Sequence, residues 1–265
     1  MADADALLEP GVTGLPATPD SEPPAPSAAA PGGDESIMSL LDHLGELRKR
    51  IFRSIIAVAI ASTIGFLVAP QVRVFLQQPL GDIPLQVLGV GDAFVIQVKI
   101  ALVVGIIIAM PVLLYQLWAF IAPGLTPNER KLIRPWIPMA LVFFSIGVII
   151  AYVVLPFAIQ FLFSFTDDTT LLARPAAGQY FDFVTTMFLA FGLVMEFPIL
   201  LVGLSTVGII TSARLTSSRR MVILGIAIFA AVVTPCGDLV SPFVLGTTMY
   251  VLYELTILFI RRSGK

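Results

Sequence analysis

One run of the sequence is almost wholly apolar: AFGLVMEFPILLVGL, from Ala190 to Leu204, in which Glu196 is the only charged residue. Apolar runs of comparable length recur along the chain. Hydrophobic residues make up 57% of the 265 residues and charged residues 13%, against about 45–50% and about 25% in soluble domains. Since a fold of this size cannot hide so much apolar surface from water, we predict that most of it faces lipid.

Six apolar segments are candidates for membrane-spanning helices, separated by loops that carry proline, glycine and charge. They are Ile51–Ala69, Ala101–Ala122, Trp136–Phe157, Phe183–Gly208, Met221–Val233 and Leu239–Ile260. We therefore predict an all-α integral membrane protein with six transmembrane helices, of which spans five and six are short. Fifteen residues from Met221 to Pro235 give about 22 Å of helix, less than the hydrocarbon thickness. A start near Thr216, with Arg219 and Arg220 reaching out to the surface, is an equally open alternative.

The basic residues predict the orientation of the chain. Thirteen of the sixteen lie before or at the start of span one, between spans two and three, between spans four and five, or after span six (Arg48, Lys49, Arg50, Arg53, Arg130, Lys131, Arg134, Arg214, Arg219, Arg220, Arg261, Arg262 and Lys265). The opposite loops carry Arg73 and Arg174, and Lys99 opens span two. By the positive-inside rule, both termini are expected to be cytoplasmic.

The first 35 residues differ in composition from the remainder. They hold seven acidic residues and no lysine or arginine, while residues 1–33 contain seven of the twenty prolines. Such a segment lacks the apolar side chains that would offset the entropy of ordering. We predict a disordered acidic tail at residues 1–35 and a membrane domain at residues 36–262. A cleaved signal peptide is not expected, because the tail has no basic start and no apolar core.

Several chemistries are disfavoured by residue counts alone. Cys236 is the only cysteine and His43 the only histidine, which leaves no internal disulfide, no multi-cysteine metal site and no catalytic triad within the spans. A phosphate-binding loop of the form GxxxxGK[ST] is also missing from the sequence. We expect no catalytic residue, no cofactor, no metal ion and no nucleic-acid partner.

Two segments that we expect to be cytoplasmic each carry a carboxylate among basic residues. The first is SIMSLLDHLGELRKRIFRS at residues 36–54, whose apolar residues recur at helical spacing and predict an amphipathic helix along the membrane surface. The second is FIAPGLTPNERKLIRPW at residues 120–136, a proline-rich loop whose only acid is Glu129. Carboxylates such as Glu46 and Glu129 suit a guanidinium ligand. Pairing with basic neighbours, such as Glu46 with Arg50 one turn away, is the simpler interpretation.

Four segments together resemble the TatC family, the large membrane subunit of the twin-arginine protein translocase. They are HLGELRKR at 43–50, QLWAFIAPGLTPNER at 116–130, FGLVMEFP at 191–198 and VTPCGD at 233–238. Their order and spacing match over residues 38–260. The sequence departs from the family at Cys236 and Gly237, where a second proline usually precedes the acid.

The resemblance implies a receptor for precursors whose signal peptides carry consecutive arginines. Glu46 and Glu129 are implied to contact the arginine pair, while Arg48 and Phe120 shape the same surface. The resemblance also matches two outer-loop positions, which are Pro79 and Asp238.

The resemblance further implies the assembly in which the chain works. Its partners would be the single-span subunits TatA, with TatB as a second candidate, together with further copies of the chain and membrane lipid. Folded proteins would cross the prokaryotic cytoplasmic membrane at the expense of the proton-motive force.

Glu196 has two interpretations from the residues alone. It is either a neutral carboxyl bonded to the Val194 carbonyl, which Pro198 leaves unpaired, or the coupling site of an ion-coupled transporter with Lys99 as counter-charge. Against the transporter, only Glu254 is a second acid well inside a span. The resemblance implies a third role, in which Glu196 is a polar handle for the signal peptide or a partner helix.

Overall fold

A computed structural model describes residues 34–81, 83–127, 130–131, 134–166, 174–206, 208, 210–234 and 238–262, with side chains from residue 43 onward except at 212. The chain divides into two compact units, Met1–Asp42 and His43–Lys265. Within the first unit, residues 34–42 are helical, and the rest of the predicted acidic tail lies outside the described residues. The contacts discussed below all belong to the second unit.

The described residues fold into helices, as the apolar spans predict. The helices are α1 (Asp34–Gln77), α2 (Asp92–Ile121), α3 (Trp136–Phe163), α4 (Ala177–Val194), α5 (Phe197–Thr206), α6 (Ser212–Ser217), α7 (Arg219–Val233) and α8 (Val240–Arg262). Short 3₁₀ turns follow α1 at Gln78–Leu80 and α2 at Ala122–Gly124. Within the described ranges, the β-type pairing is a single parallel bridge between Gln86 and Ala176. The predicted all-α class is confirmed.

Five helical segments are long and apolar enough to cross a membrane, judged by length and composition. They are His43–Leu80, Asp92–Ile121, Trp136–Phe163, Ala177–Thr206 and Val240–Arg262. Helix α7 falls outside this set because its 15 residues give about 22 Å of helix, as predicted for span five. Helix α7 begins at Arg219, between the two predicted starts at Met221 and near Thr216, and a turn at Ser218 separates it from α6.

The prediction that span six is short is also wrong. Helix α8 has 23 residues, or about 34 Å at 1.5 Å per residue. It continues through Arg261 and Arg262, two basic residues in its last turn, where cations interact favourably with the helix dipole.

The fourth predicted span is broken near its middle. Helix α4 ends at Val194 and α5 begins at Phe197, with a turn at Met195 and Glu196. Pro198 is the second residue of α5, where its missing N–H costs nothing because the first N–H groups of a helix have no partner within the helix. The carbonyl of Glu196 accepts from the N–H of Ile199 at 3.1 Å and from that of Leu200 at 3.2 Å, so the chain restarts as a helix at once.

Helices α3 and α4 pack closely through two glycines. A Cβ atom on Gly147 would lie 2.5 Å from the carbonyl oxygen of Phe191, and one on Gly192 would lie 2.6 Å from the ring of Phe144. Small residues let helices approach closely in lipid, where packing replaces the hydrophobic effect as the driving force. This contact fixes the end of α4, and with it the turn that carries Glu196.

Candidate functional site

Glu46 lies on α1 and is paired with Arg50 one turn further along the helix. Arg50 Nη2 donates to Glu46 Oε1 at 2.9 Å, and Arg50 Nη1 donates to Gln116 Oε1 on α2 at 3.2 Å. The predicted pair between Glu46 and Arg50 is therefore present, and it extends to a second helix. Gln116 is 9% exposed. Gln116 was not among the residues predicted for this surface, although a glutamine near the end of an apolar span is a signal for a polar contact.

An aromatic contact joins the same two helices. The rings of His43 and Phe120 stack with centroids 4.5 Å apart and an angle of 18° between their planes. We call His43, Glu46, Arg50, Gln116 and Phe120 the Glu46 surface. It combines one carboxylate, already bound to a guanidinium, with a stacked aromatic edge.

The structure places the other predicted residues of this surface differently. The Arg48 guanidinium lies 5.9 Å from the ring centroid of Phe52, also on α1, which is within cation–π range. Glu129 lies outside the described residues. The implied contact of Glu129 with the arginine pair of a signal peptide thus stays a prediction.

The described part of the loop around Glu129 borders a cavity of about 790 Å³ between the end of α2 and the start of α3. It is lined by Tyr115, Trp118, Leu125, Pro127, Arg130, Lys131, Arg134, Ile137 and Pro138. We call it the α2–α3 cavity. The three basic residues are exposed.

Glu196 is buried at the turn between α4 and α5. The residue is 9% exposed, and its Oε1 has no hydrogen-bond partner among the described residues. The predicted bond from this carboxyl to the Val194 carbonyl is not among the described contacts. The helix also ends at Val194 instead of continuing through Pro198 as predicted. A buried carboxyl oxygen without a partner is costly, and costlier still in lipid.

An apolar groove of about 420 Å³ lies beside this turn. It is lined by Leu193, Val194, Phe197, Leu200, Val222, Gly225, Ile226, Phe229 and Met249, from α4, α5, α7 and α8. The short helix α7 forms one wall of the groove. Glu196 lies in the chain between two of the lining residues.

The charges expected to accompany Glu196 in a transporter have other partners. Lys99 on α2 forms an ion pair with Asp182 on α4, so its prediction as the counter-charge of Glu196 is wrong. Glu254 on α8 accepts a hydrogen bond from Arg219 Nη2, at the start of α7, at 2.8 Å. No ion pair of Glu196 is found within the described ranges. An ion pathway through linked charges is therefore not supported.

The predicted outer-loop residues Pro79 and Asp238 both lie next to the ends of helices. Pro79 lies half-buried in the 3₁₀ turn that follows α1. Asp238 is 2% exposed, and its Oδ2 accepts the backbone N–H of Ser241 at 2.6 Å, which caps the first turn of α8. Cys236 and Gly237 lie outside the described residues, so the departure from the family pattern at this turn has no structural description.

Comparisons with known proteins agree with one another. A family model described as Sec-independent protein translocase protein (TatC) matches residues 42–247. A protein of that name from Frankia casuarinae is 35% identical over 241 residues; the match covers 85% of this chain and 66% of the relative's length. One from Carboxydothermus hydrogenoformans is 34% identical and is covered over 93% of its length, with 84% of this chain matched.

A solved structure gives the same result for the fold. The crystal structure of the twin-arginine translocase receptor TatC in DDM superposes with a TM-score of 0.73 at 36% identity. The match covers 82% of this chain and 99% of that one.

Proposed function

The chain belongs to the TatC family of Sec-independent protein translocase proteins, and on that premise we propose that it is the receptor subunit for signal peptides that carry consecutive arginines. Proteins of this family are components of a translocase, a non-enzymatic transport subunit of a larger complex. Its apolar helices make it a multi-pass membrane protein. We place it in the prokaryotic cytoplasmic membrane.

The proposed topology has six spans and cytoplasmic termini. Helix α7 would be the fifth span, short enough to thin the bilayer locally or to depend on neighbouring helices. The basic residues at Arg48–Arg53, Arg130–Arg134 and Arg261–Arg262 would then share one side of the membrane. An even number of spans returns both ends of the membrane domain to that side.

The observation that carries the proposal is the occupied carboxylate of Glu46. It binds the guanidinium of Arg50 at 2.9 Å, which is the same chemical group that an arginine of a signal peptide would present. An incoming arginine would replace Arg50 at Glu46 while Arg50 kept its bond to Gln116. A charge-assisted hydrogen bond contributes about 1.5–3 kcal/mol when buried. The contribution here is smaller, about 0.2–1 kcal/mol, because the Glu46 side chain is 33% exposed.

Glu129 is proposed as the second carboxylate, so that each arginine of the pair has one acid. Phe120, stacked on His43, would offer an aromatic edge to the residue beside the pair. Arg48 would shape the surface through its contact with Phe52 and would not bind the ligand.

Glu196 and the apolar groove are proposed to act in a second stage. Six helices alone do not enclose a pore for a folded protein, so small single-span subunits, TatA with TatB as a second candidate, would assemble with this chain and with further copies of it. The groove gives an incoming helix an apolar surface. Glu196, buried at the adjacent turn with an unpartnered Oε1, would turn toward that helix and form one directional bond with it. The proton-motive force would drive transport.

Crosslinking in membranes tests the first stage. A photoreactive group beside the arginine pair of a signal peptide should label this chain, and the double substitution Glu46→Ala and Glu129→Ala should remove the labelling while the protein still inserts. Replacing the arginines of the peptide with lysines should weaken labelling, because a point charge cannot make the bidentate contact. Undiminished labelling of the double variant would overturn the assignment.

A further inference from the structure

We propose that the α2–α3 cavity binds the headgroup of an anionic phospholipid. The inference concerns a site separate from the Glu46 surface and from the groove beside Glu196. It starts from three cations, Arg130, Lys131 and Arg134, which line one cavity of about 790 Å³.

The backbone directs two of these cations to the same side. The N–H of Arg130 donates to the carbonyl of Thr126 at 2.9 Å, and the N–H of Arg134 donates to the carbonyl of Arg130 at 3.2 Å. These i to i+4 bonds place Arg130 and Arg134 one helical turn apart, on neighbouring positions of one face. Two guanidinium groups at that spacing can bind one phosphate through several hydrogen bonds.

The cations have no acidic partner in the described part of the cavity. Its described lining residues include no aspartate or glutamate, and the ion pairs seen in the described ranges involve Arg50, Lys99 and Arg219 instead. Cations that line one cavity repel one another. An anion bound among Arg130, Lys131 and Arg134 would reduce that repulsion.

The remaining walls favour a lipid over a free anion. Tyr115 and Trp118, from the last two turns of α2, and Ile137 and Pro138, from the first turn of α3, line the same cavity. Both helices are candidate membrane spans, so the cavity lies at a membrane boundary. Aromatic rings at this depth pack against glycerol and acyl carbons, and basic pockets between membrane helices bind anionic headgroups.

The positive-inside rule alone accounts for basic residues in this loop but does not require a cavity with aromatic walls. The distinction can be measured with purified full-length protein in mild detergent, without any signal peptide. Lipid retention is compared for phosphatidylglycerol and phosphatidylcholine by native mass spectrometry. We expect a preference of roughly 10- to 100-fold for phosphatidylglycerol, since each basic group near an anionic surface contributes about fivefold.

Two triple variants distinguish a specific lipid site in the cavity from an effect of overall positive charge. Arg130, Lys131 and Arg134 changed to Gln should lose the preference. Arg214, Arg261 and Arg262 changed to Gln remove the same charge outside the cavity and should keep it. Equal losses in the two variants would overturn the proposal in favour of diffuse surface charge.

Two further experiments test for a free-anion site and allow for a cavity variant that does not fold. Inorganic phosphate should not displace phosphatidylglycerol at equal concentration; displacement would show a free-anion site and overturn the lipid assignment. If the cavity variant does not fold, a photoreactive phosphatidylglycerol is applied to the unaltered protein. Labelling centred on Tyr115 and Trp118 supports the proposal, and labelling spread evenly over the membrane helices contradicts it. Because no signal peptide is present, a negative result here leaves the proposed receptor function intact.

Discussion

Arg50 Nη2 lies 2.9 Å from Glu46 Oε1, so the carboxylate proposed to receive an arginine already holds one. The Arg50 side chain is 20% exposed and that of Glu46 33% exposed, and Gln116 anchors the same guanidinium from α2. The resting pair thus competes with the ligand on equal chemical terms. A ligand must therefore bind Glu46 more tightly than Arg50 does. A single lysine is not expected to do so, because its ammonium group cannot make the bidentate contact of a guanidinium.

Arg50→Gln should therefore increase the affinity of a twin-arginine peptide. A partly exposed ion pair contributes about 0.2–1 kcal/mol, so freeing Glu46 should tighten binding by about 1.5- to 5-fold. The measurement is fluorescence anisotropy of a labelled signal peptide with protein in lipid nanodiscs.

Arg53→Gln is the control for Arg50→Gln. Arg53 lies on the same helix and is exposed, so its loss changes the net charge equally without touching Glu46. If the two variants bind the peptide with the same affinity, or if Arg50→Gln binds more weakly than the unaltered protein, competition by Arg50 is refuted.

Glu196→Ala should leave binding of the arginine pair unchanged and impair assembly with the small subunits or transport. The reason is that the two sites lie on different helices: the Glu46 surface lies on α1 and α2, while Glu196 lies at the turn between α4 and α5. The measurements are peptide affinity, co-purification of the small subunits, and export of a folded reporter. Glu196→Gln should restore part of the assembly, because the amide can still form a hydrogen bond with an incoming helix.

Thr256→Val is a matched control for Glu196→Ala. Thr256 is another buried polar residue, but its hydroxyl donates to the Leu252 carbonyl within α8, so it is already satisfied locally. Its loss should not affect assembly. A loss of peptide binding in Glu196→Ala would contradict the two-stage proposal.

The lengths of the apolar segments predicted the helices but not the residues at which they begin and end. The hydrophobic part of span two begins at Ala101, whereas α2 begins at Asp92. The carboxylate of Asp92 accepts the N–H of Gly89 at 2.7 Å and lies in the first turn, where an acid is favoured by the helix dipole. Hydropathy identifies the lipid-facing part of a helix, while polar residues extend it into the interface.

The residue types of the candidate site could be predicted from the sequence, but the contacts that join them across helices could not. The Glu46–Arg50 pair follows from helical spacing, but the bond from Arg50 to Gln116 joins residues 66 positions apart and depends on how α1 packs on α2. The break before Phe197 had its signal in Pro198, which lies inside the continuous span predicted at Phe183–Gly208. Whether a proline interrupts a helix or begins a new one depends on the packing around it.

Asp238→Ala should reduce stability by about 0.5–2 kcal/mol, the usual cost of losing a helix cap. The reason is the bond from the Ser241 N–H to Asp238 Oδ2 at 2.6 Å. Asp238→Asn and Asp238→Ser keep an acceptor and should recover most of the loss in thermal unfolding measured in detergent. If export fails in Asp238→Asn at unchanged stability, the acid has a role beyond capping.

Gly147→Ala should destabilise the protein and also disturb the turn at Glu196. The new Cβ would lie 2.5 Å from the Phe191 carbonyl oxygen and 2.7 Å from Cγ of Met195. A backbone carbonyl cannot move aside as a side chain can, so α3 and α4 must separate at a cost of about 1–3 kcal/mol. Gly203→Ala in α5 is the control, since a Cβ there meets nothing within 4 Å and alanine favours a helix by about 0.5–1 kcal/mol over glycine. Thermal unfolding in detergent should lower the midpoint for Gly147→Ala and leave it unchanged or raised for Gly203→Ala. Equal midpoints would mean that the close approach of α3 to α4 does not support the turn that carries Glu196.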